Sequence, residues 1–133
     1  MSAPRRPSNP YQARDELRGL LLVAAVAAVP DRQPVIVHDA GPGGAGSFSD
    51  GAATAVTSRI RVEIGDPPGT PPEARLAAAR RYLSDEGWSV VRSNSTDAVA
   101  ELVAVRAGYT ITVTKRPTER RIILTGETPP IAI

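Results

Sequence analysis

The sequence predicts an α+β fold: a two-layer domain in which two helices lie on one face of an antiparallel sheet of about five strands. Two observations carry that reading. The stretch from Thr70 to Gly126 runs as one helix signal followed by four strand signals separated by short turns. In Tyr109–Lys115, Tyr109, Ile111 and Val113 alternate strictly with Thr110, Thr112 and Thr114, as a strand with one buried and one wet face must. The element order is α-β-α-β-β-β-β.

Residues 1–10, rich in proline, serine and arginine, read as a flexible lead to a single α+β domain over 11–133. A helix is predicted from about Tyr11 to Val29, stopped by Pro30, with Asp15 and Glu16 as acids in its first turn favouring the helix dipole. Its apolar run Gly19–Val29 is also roughly what a signal-peptide core or anchor remnant looks like, although Asp15 and Glu16 stand where such a signal carries positive charge. The run is short for a membrane span. Residues 38–52 read as a Gly/Pro-rich surface loop, after a short extended piece at Val35-Ile-Val37. Ile60, Val62 and Ile64 then alternate with Arg59, Arg61 and Glu63, predicting a half-buried strand.

Thr70-Pro71-Pro72-Glu73 has the form of a capping box with proline at the first helical position, and Leu76, Ala79 and Leu83 follow at helical spacing. Glu86-Gly87 is the stop. The strands after it are Trp88–Arg92, Glu101–Arg106, Tyr109–Thr114 and Arg120–Thr125, with Ala107-Gly108 as a two-residue hairpin turn. The core expected from these phases is Ile60, Val62, Leu76, Leu83, Trp88, Val90, Ile111, Val113, Ile122 and Leu124.

Composition excludes several functions. At 133 residues the chain needs no metal or disulfide to build a core, and it has no cysteine and one histidine. Thiol chemistry, zinc–thiolate sites and multi-histidine metal sites are therefore excluded. The net charge of +2, with acids lying between Arg80-Arg81 and the cluster Lys115-Arg116/Arg120-Arg121, argues for charged surface and against a nucleic-acid face. One Trp, one Phe and three Tyr leave little for an aromatic-lined pocket.

One stretch imitates a site. Gly41-Pro-Gly-Gly-Ala-Gly46 is a literal G-x-G-x-x-G after Val35-Ile-Val37, and Glu63 stands about where a ribose-binding carboxylate belongs. Gly41, Gly43 and Gly46 would let pyrophosphate approach the backbone at a helix N-terminus. The helix is missing from the pattern, since Ser47–Val56 begins with turn formers and contains Gly51. His38 and Asp39, with Ser47 and Ser49, do not assemble a triad, because adjacent strand residues point to opposite faces. No catalytic residue, metal ligand or cofactor is expected from the residues.

The whole order resembles a loose class of small secreted or lipid-anchored proteins of actinobacteria. The matching residues are Ala13-Arg-Asp-Glu-Leu17, Gly41–Gly46, the stretch Ala79-Arg-Arg-Tyr-Leu-Ser-Asp-Glu-Gly-Trp88, Ala107-Gly-Tyr109 and Thr128-Pro129. Such proteins often carry one cysteine in the glycine-rich loop and another after the Thr-Pro. The corresponding places here are Ala45 and Pro130. The resemblance implies that these two segments lie side by side, and it carries no biochemical activity. The expected function is a non-enzymatic envelope or secreted module whose partner is another protein, with no nucleic acid and no membrane span. The alternatives are a nucleotide-binding or enzymatic domain using residues 41–46, and a cytoplasmic immunity-type or regulatory partner.

Overall fold

The computed structural model describes residues 9–39, 43–44, 55–96 and 99–132. Its elements are α1 (Pro10–Ala28), β1 (Val35–Asp39), β2 (Gly43–Gly44), β3 (Ala55–Thr57), β4 (Arg59–Gly65), α2 (Pro72–Asp85), β5 (Ser89–Ser95), β6 (Ala100–Arg106), β7 (Tyr109–Lys115), β8 (Arg121–Glu127) and β9 (Ile131–Ala132). The main sheet is antiparallel with strand order β1-β4-β8-β7-β6-β5, and β2, β3 and β9 form a second, small sheet. The α+β class with two helices stands. The strand count is corrected from about five to six, because Val35–Asp39 joins the main sheet as an edge strand beside β4.

α1 begins at Pro10, so the end of the expected 1–10 lead belongs to the helix. Asn9 caps it, its Oδ1 accepting from the backbone N–H groups of Tyr11 at 2.8 Å and Gln12 at 3.2 Å. Asp15 and Glu16 therefore lie beyond the first turn, and Glu16 serves a neighbour: its Oε2 accepts from the Tyr109 hydroxyl at 3.0 Å. Burial, together with this bond to a carboxylate, pushes the Tyr109 phenol above its ordinary pKa. Ala13, Leu17, Leu21, Ala24, Ala25 and Ala28 face the core.

α2 starts at Pro72 with Pro71 as its cap, and no side chain makes the cap bond, so the expected capping box from Thr70 does not form. Proline at the first helical position needs no donor there. The stop is as read: Gly87 takes φ +88°, and Trp88 N bonds back to Leu83 O at 2.9 Å. Arg106 covers this end, its guanidinium 5.1 Å above the Trp88 ring and its Nη1 donating to Glu86 O at 2.5 Å. The β6–β7 hairpin turns on Ala107 (φ 51°) and Gly108 (φ 84°), the signs a type I′ turn requires.

Both helices pack on the face carrying Ile60, Val62, Ile64, Leu102, Ala104, Ile111, Val113, Ile122 and Leu124, all essentially buried. Nine of the ten expected core side chains are buried, and Val90 packs against the core from a partly exposed position. Ile123 belongs to the opposite face, so the register chosen for Ile122 and Leu124 is the one observed. α1 can lie close over β8 because position 126 is glycine: a Cβ there would stand 2.6 Å from Leu17 Cδ1 and 2.9 Å from Leu21 Cδ1.

The small sheet grows from a bend. The backbones of Ser58 and Thr128, both buried, are locked reciprocally: Ser58 N donates to Thr128 Oγ1 at 2.8 Å, and Thr128 N donates to Ser58 O at 3.0 Å. Here β3 leaves the line of β4, and Pro129 and Pro130, which lack N–H donors, end the ladder of β8.

A buried ion network closes the opposite end of β4. Asp66, its side chain 2% exposed, accepts from Arg75 Nε at 2.9 Å and pairs with Lys115 Nζ at 3.1 Å. Arg75 Nη1 also donates to Ala28 O at 3.4 Å, Lys115 donates to Glu119 O, and Asp66 N donates to Arg120 O at 2.9 Å. Lys115, expected among surface charges, is thus a buried residue.

Gly126→Val should overpack the α1–β8 contact and cost about 1–3 kcal/mol or more in denaturant unfolding. Adding Leu17→Ala should recover part of that loss, whereas a strictly additive double variant would show that the two positions do not touch.

Candidate functional site

Where one face of an antiparallel sheet packs on helices, the other is left to water or a partner. The outward residues here are Arg59, Arg61 and Glu63 on β4, Arg121, Ile123, Thr125 and Glu127 on β8, and Thr110, Thr112 and Thr114 on β7. Val103 and Val105 follow on β6. No helix among the described residues lies over them. The middle of this face is a lane of threonine and branched aliphatic side chains. Thr112 stands between Thr125 and Val103, and Thr114 between Ile123 and Glu101. The lane is half-buried by its own neighbours, and Ile123 is only 8% exposed.

Charges border the lane and largely neutralise one another. Arg59 pairs with Glu127 at 3.3 Å, Arg92 with Glu101 at 2.7 Å, and Arg61 with Glu63 at 3.2 Å. Arg121 reaches Glu63 at 2.6 Å and Glu119 at 3.4 Å, and these bonds push its pKa further up. Surface pairs of this kind add little stability, but they fix long side chains in place around the lane. Toward the β1 edge, Val37, His38, Arg59, Arg61, Glu63 and Thr125 line an open groove of about 520 Å³.

Of the residues that imitated a nucleotide site, the structure describes Gly43 and Glu63. Gly43 and Gly44 form β2, paired with Thr57 and Val56, so the middle of the glycine run is a strand. Gly41, Gly46, Ala45, Ser47 and Ser49 lie outside the described residues. Glu63 is engaged by two arginines on the open sheet face. The expected 38–52 loop is corrected at both places that are described: His38 and Asp39 belong to β1, and 43–44 to β2. Asp39 pairs with Arg18 at 3.4 Å, and His38 is exposed on the edge strand. No group of three His, Cys, Asp or Glu that could hold a metal occurs among the described residues. No helix among them is long and apolar enough to cross a membrane.

Gly43–Gly44 and the C-terminal Ile131–Ala132 belong to one sheet without adjoining, since β3 lies between them. Gly44 and Ile131 flank Val56 from its two sides, two strand spacings apart, or roughly 10 Å. The expected approach of Ala45 to Pro130 falls on a residue outside those described. The sequence reading missed the outward face as a candidate surface, although the Thr110/Thr112/Thr114 alternation contained it.

No family model matches the chain, and no curated protein does. Among solved structures it is similar to the crystal structure of the putative lipoprotein LppA from Mycobacterium tuberculosis. The two share 14% identity and a TM-score of 0.60 over 94% of this chain and 79% of that one. At that identity the likeness is one of fold, and the fold is the α+β arrangement described above.

Proposed function

We propose that this chain is a non-enzymatic accessory module of the cell envelope that docks another protein on the open face of its six-stranded sheet. One observation carries the reading: a lane of Thr110, Thr112, Thr114, Thr125, Val103, Val105 and Ile123 that no helix among the described residues covers, bordered by ion pairs that leave little net charge. A surface of this make-up offers flat apolar contact with hydroxyl donors and acceptors between, which suits a protein partner better than an anion or a nucleic acid. The fold shared with a putative lipoprotein supports an extracytoplasmic setting.

Thr112→Arg combined with Val103→Arg should abolish cross-linking of the chain to its envelope partner and leave the fold intact, since both side chains point away from the core. A modest fall in melting temperature is expected because the two arginines face each other across β6 and β7. Undiminished cross-linking by a folded double variant would place the docking surface elsewhere. A fusion of the native gene to alkaline phosphatase, which is active only after export, checks the compartment. An inactive fusion would favour the cytoplasmic partner reading.

The same proposal holds that NAD, FAD and ATP do not bind, because a paired strand at Gly43–Gly44 cannot wrap a phosphate. Calorimetric titration at millimolar nucleotide should give only heats of dilution. A saturable response that Gly43→Val removes would overturn this.

A further inference from the structure

The two edges of the main sheet are built differently. β5, at one edge, exposes a single aliphatic, Val91, at its register shift, and carries Arg92, Ser93, Asn94 and Ser95 in exposed positions after it. Charge and polarity of this kind keep an edge from pairing with another chain. β1, at the other edge, exposes Val35 (59%), Ile36 (37%) and Val37 (47%). Its own register shift leaves Val37 without an opposing residue on β4, turned toward solvent beside His38. On the helix side the apolar surface continues onto α1, where Val23 and Val26 are 50% and 39% exposed. Together with Leu22, Gln33 and Pro34 they line a groove of about 440 Å³.

We propose that β1 is a homodimer seam, at which two copies of this chain pair their edge strands antiparallel about a dyad at Ile36. The sequence of the strand selects that register. A dyad at Ile36 sets Ile36 opposite Ile36 of the second copy, and Val35 opposite Val37, so apolar side chains meet on both faces. At the ends of the ladder His38 meets Pro34, on an exposed position, and Asp39, which keeps its pair with Arg18, lies toward Gln33. A dyad one residue along, at Val37, would set Val35 against Asp39 and Ile36 against His38, burying polar groups against aliphatic ones. Pro34, with no N–H, closes the ladder just before Val35.

The area fits a dimer. Val23, Val26, Val35, Ile36 and Val37 leave on the order of 400 Å² of apolar surface in water, the scale of patch that marks an interaction site. A standard interface takes roughly 800 Å² from each partner, with an apolar centre and a polar rim. Gln33, Pro34 and Leu22, which line the adjoining groove, stand at its margin. Pairing joins the two sheets into one of twelve strands, leaves the threonine lane of each copy uncovered, and does not depend on the docking role proposed above.

The absence of cysteine makes the test direct. In sedimentation equilibrium at high micromolar concentration the unmodified chain should show twice its monomer mass, and Ile36→Lys, which sets like charges across the dyad, should return it to monomer. Ile36→Cys should form an intermolecular disulfide under mild oxidation far faster than Val91→Cys, a control 60% exposed on the opposite edge. The Thr112→Arg/Val103→Arg variant should remain dimeric even if it loses its other partner. A monomeric unmodified chain, including one that pairs β1 only with foreign strands, would overturn the proposal. So would Ile36→Cys cross-linking no faster than Val91→Cys.

Discussion

One buried carboxylate holds the far end of this molecule together. Asp66 lies just beyond β4, where the chain must leave the sheet, and it takes both a guanidinium from α2 and the ammonium from β7. Through those cations it reaches two more segments: the last carbonyls of α1 by way of Arg75, and the β7–β8 turn by way of Lys115. Each contact answers a local need. The C-terminal carbonyls of α1 have no intrahelical donors, and Arg75 supplies one with a positive charge where the helix dipole favours it. A carboxylate this deep would be prohibitive alone; with two cations on it, and its own backbone N–H bonded to Arg120 O, it fixes how the layers close. The chain has one lysine among its sixteen basic residues, and that lysine is spent here.

Local chemistry made most of the architecture legible. The Ala107-Gly108 hairpin, the Gly87 stop and the alternation of β7 depend on neighbouring residues, and each appears as read. What escaped was non-local. Asp66 and Lys115 are 49 positions apart: the alternation of Tyr109, Ile111 and Val113 runs on inward to Lys115, but nothing local to β7 announces the carboxylate that meets it. The sequence placed Val35-Ile-Val37 in extended form, but sheet membership depended on β4 having an unpaired side. β2, β3 and β9 are too short for periodicity to register, and the bend at Ser58 and Thr128 that creates their sheet is a pairing across seventy residues. Thr70 lost its capping role because the prolines that follow shift the helix start, leaving Pro71 at the cap.

The candidate surface was half legible. The threonine alternation showed that β7 has a wet face, and the flanking Arg/Glu residues were read as ordinary charged surface. Only the register shows that Arg61, Glu63, Arg121 and Glu119 form one chain of pairs, which frames the lane and leaves little charge unanswered. The glycine run drew attention because its spacing matched a phosphate loop. Where it is described, at Gly43 and Gly44, it is a strand paired with Thr57 and Val56 in a sheet that also holds the C-terminal tail.

These assignments rest on one division: the helix-facing side of the sheet and its closing ion network provide stability, while the outward face and the β1 edge are free for contact. A double-mutant cycle on Asp66→Asn and Lys115→Met, measured by denaturant unfolding, tests it most directly. Lys115→Met alone should cost about 3–5 kcal/mol, as for removal of one partner from a buried pair, and the two changes together should cost clearly less than their sum. Arg92→Met, which breaks the exposed pair with Glu101, should cost under about 1 kcal/mol. A Lys115→Met protein within 1 kcal/mol of the parent, additive with Asp66→Asn, would contradict the account.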